Sequence, residues 1–182
     1  TLLKLLREKL EFDGWRGFSG GEFMRAYALE KGLFQEENGL HHSAADYEEE
    51  FDRKIDMGMR EKLEHEEKWI LESWLSGFMG QGVEGTLKVL VYCSDDAVRV
   101  DRIVNRDKVT ADQALENMRK RTSTNISKWS RMYASEWRQW VVGTGKATAS
   151  ERVNFWKPEL YDVVIDTYSM NQEQTLQKVL EF

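Results

Sequence analysis

Two patterns of apolar positions divide this chain into helices and strands. Leu2, Leu3, Leu6 and Leu10 fall on one helical face with Leu5 beside it, so the sequence opens inside a helix. Tyr47, Phe51, Ile55, Met59 and Leu63 recur every four residues and predict one long amphipathic helix. Leu115, Met118, Ile126, Trp129 and Met132 mark the apolar side of another, opened by the capping-box pattern Thr110-Ala111-Asp112-Gln113. Short apolar runs predict strands around Trp15 to Phe18, Lys68 to Glu72, Leu87 to Cys93 and Tyr161 to Thr167, the last two buried. Further helices are expected from about Glu22 to Lys31, stopped by Gly32, from Ser94 as cap to about Arg106, and from about Asn171 to Glu181. Phe34 to Ser43 reads as a loop, and the small polar stretch Val142 to Ser150 as a mobile one.

Strands separated by helices predict an α/β fold with a parallel sheet covered on both faces. Ligands in such sheets bind beyond the carboxyl ends of the strands, where Ser19, Glu72, Ser94 and Asp166 fall. The 182 residues suit one domain. A natural start would show a strand or a cap before the first helix, so a missing upstream segment is expected.

Charge narrows the partners. The net charge of -6 argues against general nucleic-acid or anionic-membrane binding. Yet Arg99, Arg102, Arg106, Lys108, Arg119, Lys120, Arg121, Lys128 and Arg131 lie close together, which suits a small anionic ligand. The bland alternative is a solvated helical face balanced by Asp95, Asp96, Asp101 and Asp107. The single cysteine, Cys93, reads as a reduced core residue and permits no disulfide. No apolar run approaches the ~20 residues of a membrane span, and no signal peptide is visible, so a cytoplasmic protein is expected.

Candidate chemistry follows from residue type and spacing. Ser19, Gly20 and Gly21 permit close backbone approach at a helix start, which favours an anion, and Arg25 lies one turn further on. Asp52 and Asp56 share a helix face with Arg53 beside them. Glu72 ends a strand. Arg99, Arg102 and Arg106 form one basic stripe, and Arg121, Asn125 and Lys128 a second, placed opposite the apolar side of its helix. The adjacent His41 and His42 are rejected as a metal site. Gly143-Thr144-Gly145-Lys146 lacks the spacing of a phosphate loop.

Taken in order, these segments resemble a family. Thr1-Leu2-Leu3-Lys4-Leu5-Leu6-Arg7-Glu8-Lys9-Leu10 looks like the helix after Gly-Lys-Ser/Thr in a P-loop kinase. Phe18-Ser19-Gly20-Gly21-Glu22-Phe23-Met24-Arg25 resembles the Ser-x-Gly-(Asp/Glu)-x-x-Arg segment of nucleoside monophosphate kinases. Asp52-Arg53-Lys54-Ile55-Asp56, Leu71 to Gly77, Arg102 to Arg106 with Arg121, and Tyr161 to Thr167 are similar to segments of the short, archaeal-type cytidylate kinases.

The resemblance implies a three-layer P-loop kinase fold with a helical lid. It would span residues 1–182 as one domain, with an acceptor-binding part at 14–67, a lid at 99–133 and an insertion at 134–158 that could form a contact surface. It implies transfer of the γ-phosphate of ATP to CMP or dCMP with Mg2+. Arg102, Arg106 and Arg121 would act on the transferring phosphates. Ser19, Gly21, Arg25, Asp52, Arg53 and Asp56 would bind the acceptor. Thr1, Glu72 and Lys128 would face ATP, with Glu72 near the metal. Thr1 either follows the magnesium-ligating hydroxyl or is that ligand, and the family register favours the first. Small-molecule nucleotides are the expected partners of a monomer, with a dimer as the alternative. Trp74 departs from the pattern, because many relatives carry a phosphate-contacting arginine there. Two other readings stay open: a different small-molecule P-loop kinase, and a nucleotide-binding regulator without catalysis.

Overall fold

The computed structural model describes residues 2–30 and 47–182. Thr1, Gly32, the expected loop at 34–43, His41 and His42 lie outside the described residues. Helix α1 (Leu2–Leu10) buries Leu3 and Leu6. Strand β1 (Arg16–Ser19) runs directly into α2 (Gly20–Glu30). Helix α3 (Glu49–His65) leads to β2 (Trp69–Glu72) and the short α4 (Ser76–Met79). Then follow β3 (Val89–Tyr92), α5 (Asp96–Asp107) and the 22-residue α6 (Ala111–Met132). The chain continues through α7 (Ala134–Trp137), a wide π turn (Arg138–Val142), β4 (Val163–Asp166) and α8 (Gln172–Leu180).

The four described strands pair in parallel, as helical crossovers require. Ser19 stands opposite Glu72 in the β1–β2 pair, and Tyr92 opposite Asp166 in the β3–β4 pair. The described strands form two two-stranded sheets rather than one continuous sheet. Burial on both faces is therefore incomplete. Val91, Tyr92 and Val164 remain 42–43% exposed, where a buried strand was expected. A strand with one hydrogen-bonded neighbour leaves its other edge and part of its faces uncovered.

Local capping chemistry sets the helix starts. Thr110 and Gln113 form the expected capping box of α6. Asp95, not Ser94, caps α5, with Oδ1 accepting from Val98 N at 2.8 Å. The carboxylate accepts more strongly than a hydroxyl and complements the helix dipole.

The main core gathers Leu75, Phe78 and Met79 with Trp129, Tyr133, Trp137, Val141, Ala147, Phe155 and Leu160. Much of it comes from residues 134–158, which pack inward. The expected mobile loop at 142–150 is tied down as well. Ala147 is buried, Lys146 Nζ donates to Gln81 Oε1 at 2.8 Å, and Lys157 Nζ donates to Lys146 O at 3.0 Å. Gln81, fully buried, donates in turn to Gly77 O at 2.9 Å and Leu160 O at 2.7 Å. Such a satisfied polar group fixes one arrangement of the segments around it. Gly77 is required here, since a Cβ would lie 2.3 Å from the Tyr161 ring. Among the described residues no helix is long and apolar enough to cross a membrane.

Candidate active site

The carboxyl ends of β1 and β2 bring Ser19 and Glu72 together. Ser19 Oγ donates to Glu72 Oε2 at 2.6 Å and accepts from Glu22 N at 3.2 Å. Ser19 is thereby a cap for α2 as well as a link between strands. The open backbone donors at the start of α2 face the same region, and its dipole favours negative charge there. Arg25 folds back over that helix start: a Cβ at Gly21 would lie 3.7 Å from Arg25 Nη1 and 3.8 Å from Ser19 Oγ.

Arg25 does not stand alone. Arg121, on α6, lies with its guanidinium carbon 4.8 Å from the centroid of the Trp74 ring. Burial holds its pKa below the ordinary arginine value, and the positive charges of Arg106 and Arg25 push it the same way. The charges of three guanidinium groups, from α2, α5 and α6, are thus felt by one another. Arg106 is held by its neighbour, with Nε and Nη2 each donating to Asp107 at 2.7 Å. Among the described residues neither Arg25 nor Arg121 has a hydrogen bond or a salt bridge, Arg121 Nε is buried and unsatisfied, and the nearby Asp107 carboxylate, already engaged by Arg106, offsets part of the repulsion on Arg121. Converging cations with open donors are chemically complementary to a phosphate.

Other expected site residues lie elsewhere. Arg102, expected beside Arg106 and Arg121, is engaged at the end of β4, donating to Thr167 Oγ1 at 2.9 Å and Thr167 O at 2.8 Å. Lys128 is not on a solvated stripe. It is 7% exposed, and Asn125 2%, so Arg121, Asn125 and Lys128 line the packed side of α6 together with Trp129. Lys128 Nζ donates to Asp52 Oδ2 and Tyr47 O, both at 2.8 Å. Burial pushes the Asp52 carboxyl up, and its bond to Lys128 pulls it back in part.

Asp56 and Arg53 join the same α3–α6 contact. Tyr133 Oη donates to Asp56 Oδ2 at 2.7 Å. Burial raises the Asp56 pKa to about 7, against that bond and aided by the charge of Asp52. Arg53 donates to Glu136 and to Met132 O. Burial pushes the Glu136 carboxyl up, but the Arg53 bond, a backbone hydrogen bond and the Arg53 charge together hold it below its usual range. Tyr133, Glu136 and the stack of Arg121 on Trp74 escaped the sequence reading. Partners of Arg53 and Asp56 lie 83 and 77 residues away, and no local spacing reports them.

Two sheets of parallel strands with helices between them, Ser19 and Glu72 meeting at one pair of strand ends, define an α/β protein. Comparison with known proteins agrees. The chain is 31% identical over 177 residues to a cytidylate kinase of Methanosarcina barkeri, covering 97% of this chain and 84% of the relative. It is 28% identical over 177 residues to that of Methanosarcina mazei, again covering 97% and 84%. With that of Archaeoglobus fulgidus it shares 25% over 181 residues, covering 100% and 86%. No protein-family model matches the chain. The chain belongs to the cytidylate kinase family, and its relatives support a nucleoside monophosphate kinase.

Proposed function

We propose that this protein transfers the γ-phosphate of ATP to CMP or dCMP. The observation that carries the reading is that the charges of Arg25, Arg106 and Arg121 act on one another, with Arg25 and Arg121 in no hydrogen bond or salt bridge among the described residues, in a member of this family. Phosphoryl transfer asks for positioning and charge neutralisation rather than covalent chemistry. Arg25 and the open amides of α2 hold the acceptor phosphate. Arg106 and Arg121 neutralise charge on the group in flight. The attacking phosphate oxygen is already ionised, so no general base is needed. The bond from the γ-phosphorus to its bridging oxygen breaks as the new phosphorus–oxygen bond forms.

Magnesium bound with ATP would supply positive charge against the phosphate oxygens. Among the described residues no three His, Cys, Asp or Glu side chains are grouped to hold a metal. Glu72, exposed at a strand end and oriented by Ser19, fits an outer contact to a nucleotide-borne metal through water. The reading also calls for a strand and a Gly-x-x-x-x-Gly-Lys-Ser/Thr loop ahead of Thr1, completing the three-layer P-loop kinase fold.

The test is ADP release by the full-length protein with a panel of nucleoside monophosphates. Rapid release with CMP supports the proposal, and Arg121→Ala is expected to lower kcat at least ten-fold, about 1.4 kcal/mol. Nucleotide binding without turnover would overturn it.

A further inference from the structure

We propose that Trp74 is a positioning residue: its indole face holds the Arg121 guanidinium in the phosphate site without using up any of its N–H donors. This deepens the kinase reading and rests on it. A buried arginine is ordinarily fixed by a carboxylate, which would occupy the donors a phosphate needs and cancel the charge. Trp74 supplies neither acceptor oxygens nor negative charge. It offers the negative face of a ring quadrupole, which attracts a cation laid over it. Arg121 is so placed, 4.8 Å from the ring centroid, with its Nε buried and unpartnered.

The platform beneath is itself rigid. Trp74 meets Trp129 edge-on at 5.6 Å and Trp156 edge-on at 5.7 Å. Trp156 Nε1 donates to Trp74 O at 2.8 Å, which ties the backbone of Trp74 to the core segment 134–158. Trp129 sits two turns along the same helix as Arg121. The three indoles therefore link the strand end at Glu72, the arginine-bearing α6 and the core segment. A guanidinium held this way needs no reorganisation when a phosphate arrives, and such preorganised charge acts on the transition state.

Three variants of the full-length protein test this. Trp74→Phe keeps a ring face, Trp74→Met keeps apolar bulk without one, and Arg121→Ala removes the cation. The thermal midpoint of each is measured, so that kinetics are read from folded protein. Trp74→Met is expected to lower kcat about ten-fold, with KM for CMP changed by less than about three-fold, while Trp74→Phe stays within about three-fold of the parent. The double variant Trp74→Met with Arg121→Ala is expected to be no slower than Arg121→Ala alone, because both act through one guanidinium. Equal loss in the Phe and Met variants, or costs that add in the double variant, would overturn the positioning role. No effect of Arg121→Ala would instead overturn the kinase reading of the site. Should Trp74→Met fail to fold, the cycle is run with Trp74→Phe, whose smaller ring face is expected to give a two- to three-fold loss that vanishes in the Arg121→Ala background.

Discussion

Lys128 and Arg121 stand seven residues apart on α6, two helical turns, and both turn toward the packed side of that helix. Their surroundings differ in one respect. Lys128 meets a carboxylate and a carbonyl oxygen, both at 2.8 Å, across the contact with α3. Arg121 meets an aromatic face, two like charges and the Asp107 carboxylate that Arg106 already holds, and makes no hydrogen bond of its own among the described residues. A buried cation whose donors are satisfied within the protein has no capacity left for a ligand, and its role is architectural. A cation held by a ring keeps its N–H donors open, which is what the proposed phosphate contact needs. Charge clustering in the sequence could not separate these roles. The partners separate them.

The largest effect expected from this contrast is on the architectural side. Lys128→Met leaves Asp52 charged and buried with no cation, which is expected to cost about 3–5 kcal/mol of stability by denaturant unfolding. Pairing it with Asp52→Leu is expected to restore most of the loss, since replacing both members of a buried pair is close to neutral. A single variant as stable as the parent would show that the pair carries no structural role.

The second effect is pH dependence in the same contact. Asp56 has a folded pKa of about 7, above the ordinary 3.8, so between those values the folded state holds more protons than the unfolded state. Stability from the protonated carboxyl is complete below about pH 4 and is lost as pH rises through 7. Tyr133 Oη, Asp52 and Lys128 are the polar groups that face it. Asp56→Asn keeps an oxygen acceptor for Tyr133 and has no charge to bury. It is expected to exceed the parent in stability by about 2 kcal/mol at pH 8 and to match it near pH 4. Parallel stability–pH curves for the two proteins would refute the assignment.

Third is Arg121 itself. Its removal is expected to leave stability within about 0.5 kcal/mol, because loss of the Trp74 stack is offset by relief from Arg25 and Arg106. Activity nonetheless falls, as argued above. A variant losing activity and stability together would place Arg121 with Lys128 instead.

The strands and most helices were legible because their signals are local. Each expected strand overlaps an observed one, and the every-fourth-residue pattern up to Leu63 became α3. The Thr110 capping box is a four-residue signal and was read directly. Distant pairings were not legible. Lys128 finds Asp52 across 76 residues, so a face that looked solvated is buried. Residues 134–158 hid their core role because Trp137, Val141, Ala147 and Phe155 enter through a short helix, a π turn and a loop, which share no period. Ser19, Glu72, Arg25 and the arginines of α5 and α6 could be named from motif order, but their partners depend on how α2, α5 and α6 pack.

The smallest expected effect sharpens the contrast most finely, because it concerns an arginine between the two classes. Arg102 lies one turn before Arg106 on α5, as a second phosphate-facing arginine would. Its fork, however, is bound to Thr167 Oγ1 and O, and Thr167 Oγ1 donates to Tyr92 O at 2.9 Å. Arg102 therefore ties α5 to the ends of both β3 and β4. The side chain is exposed, where water replaces lost hydrogen bonds cheaply, so Arg102→Ala is expected to cost under about 1 kcal/mol of stability. Turnover is expected to stay within about three-fold, because Arg106 and Arg121 remain in place. Arg102→Lys cannot reproduce the two-pronged contact and is expected to behave like the alanine variant. A ten-fold loss of kcat in Arg102→Ala with unchanged stability would instead mean that the Thr167 contact is released in turnover and that Arg102 joins the phosphate-binding group. Steady-state kinetics and thermal unfolding on the same preparations decide between the two.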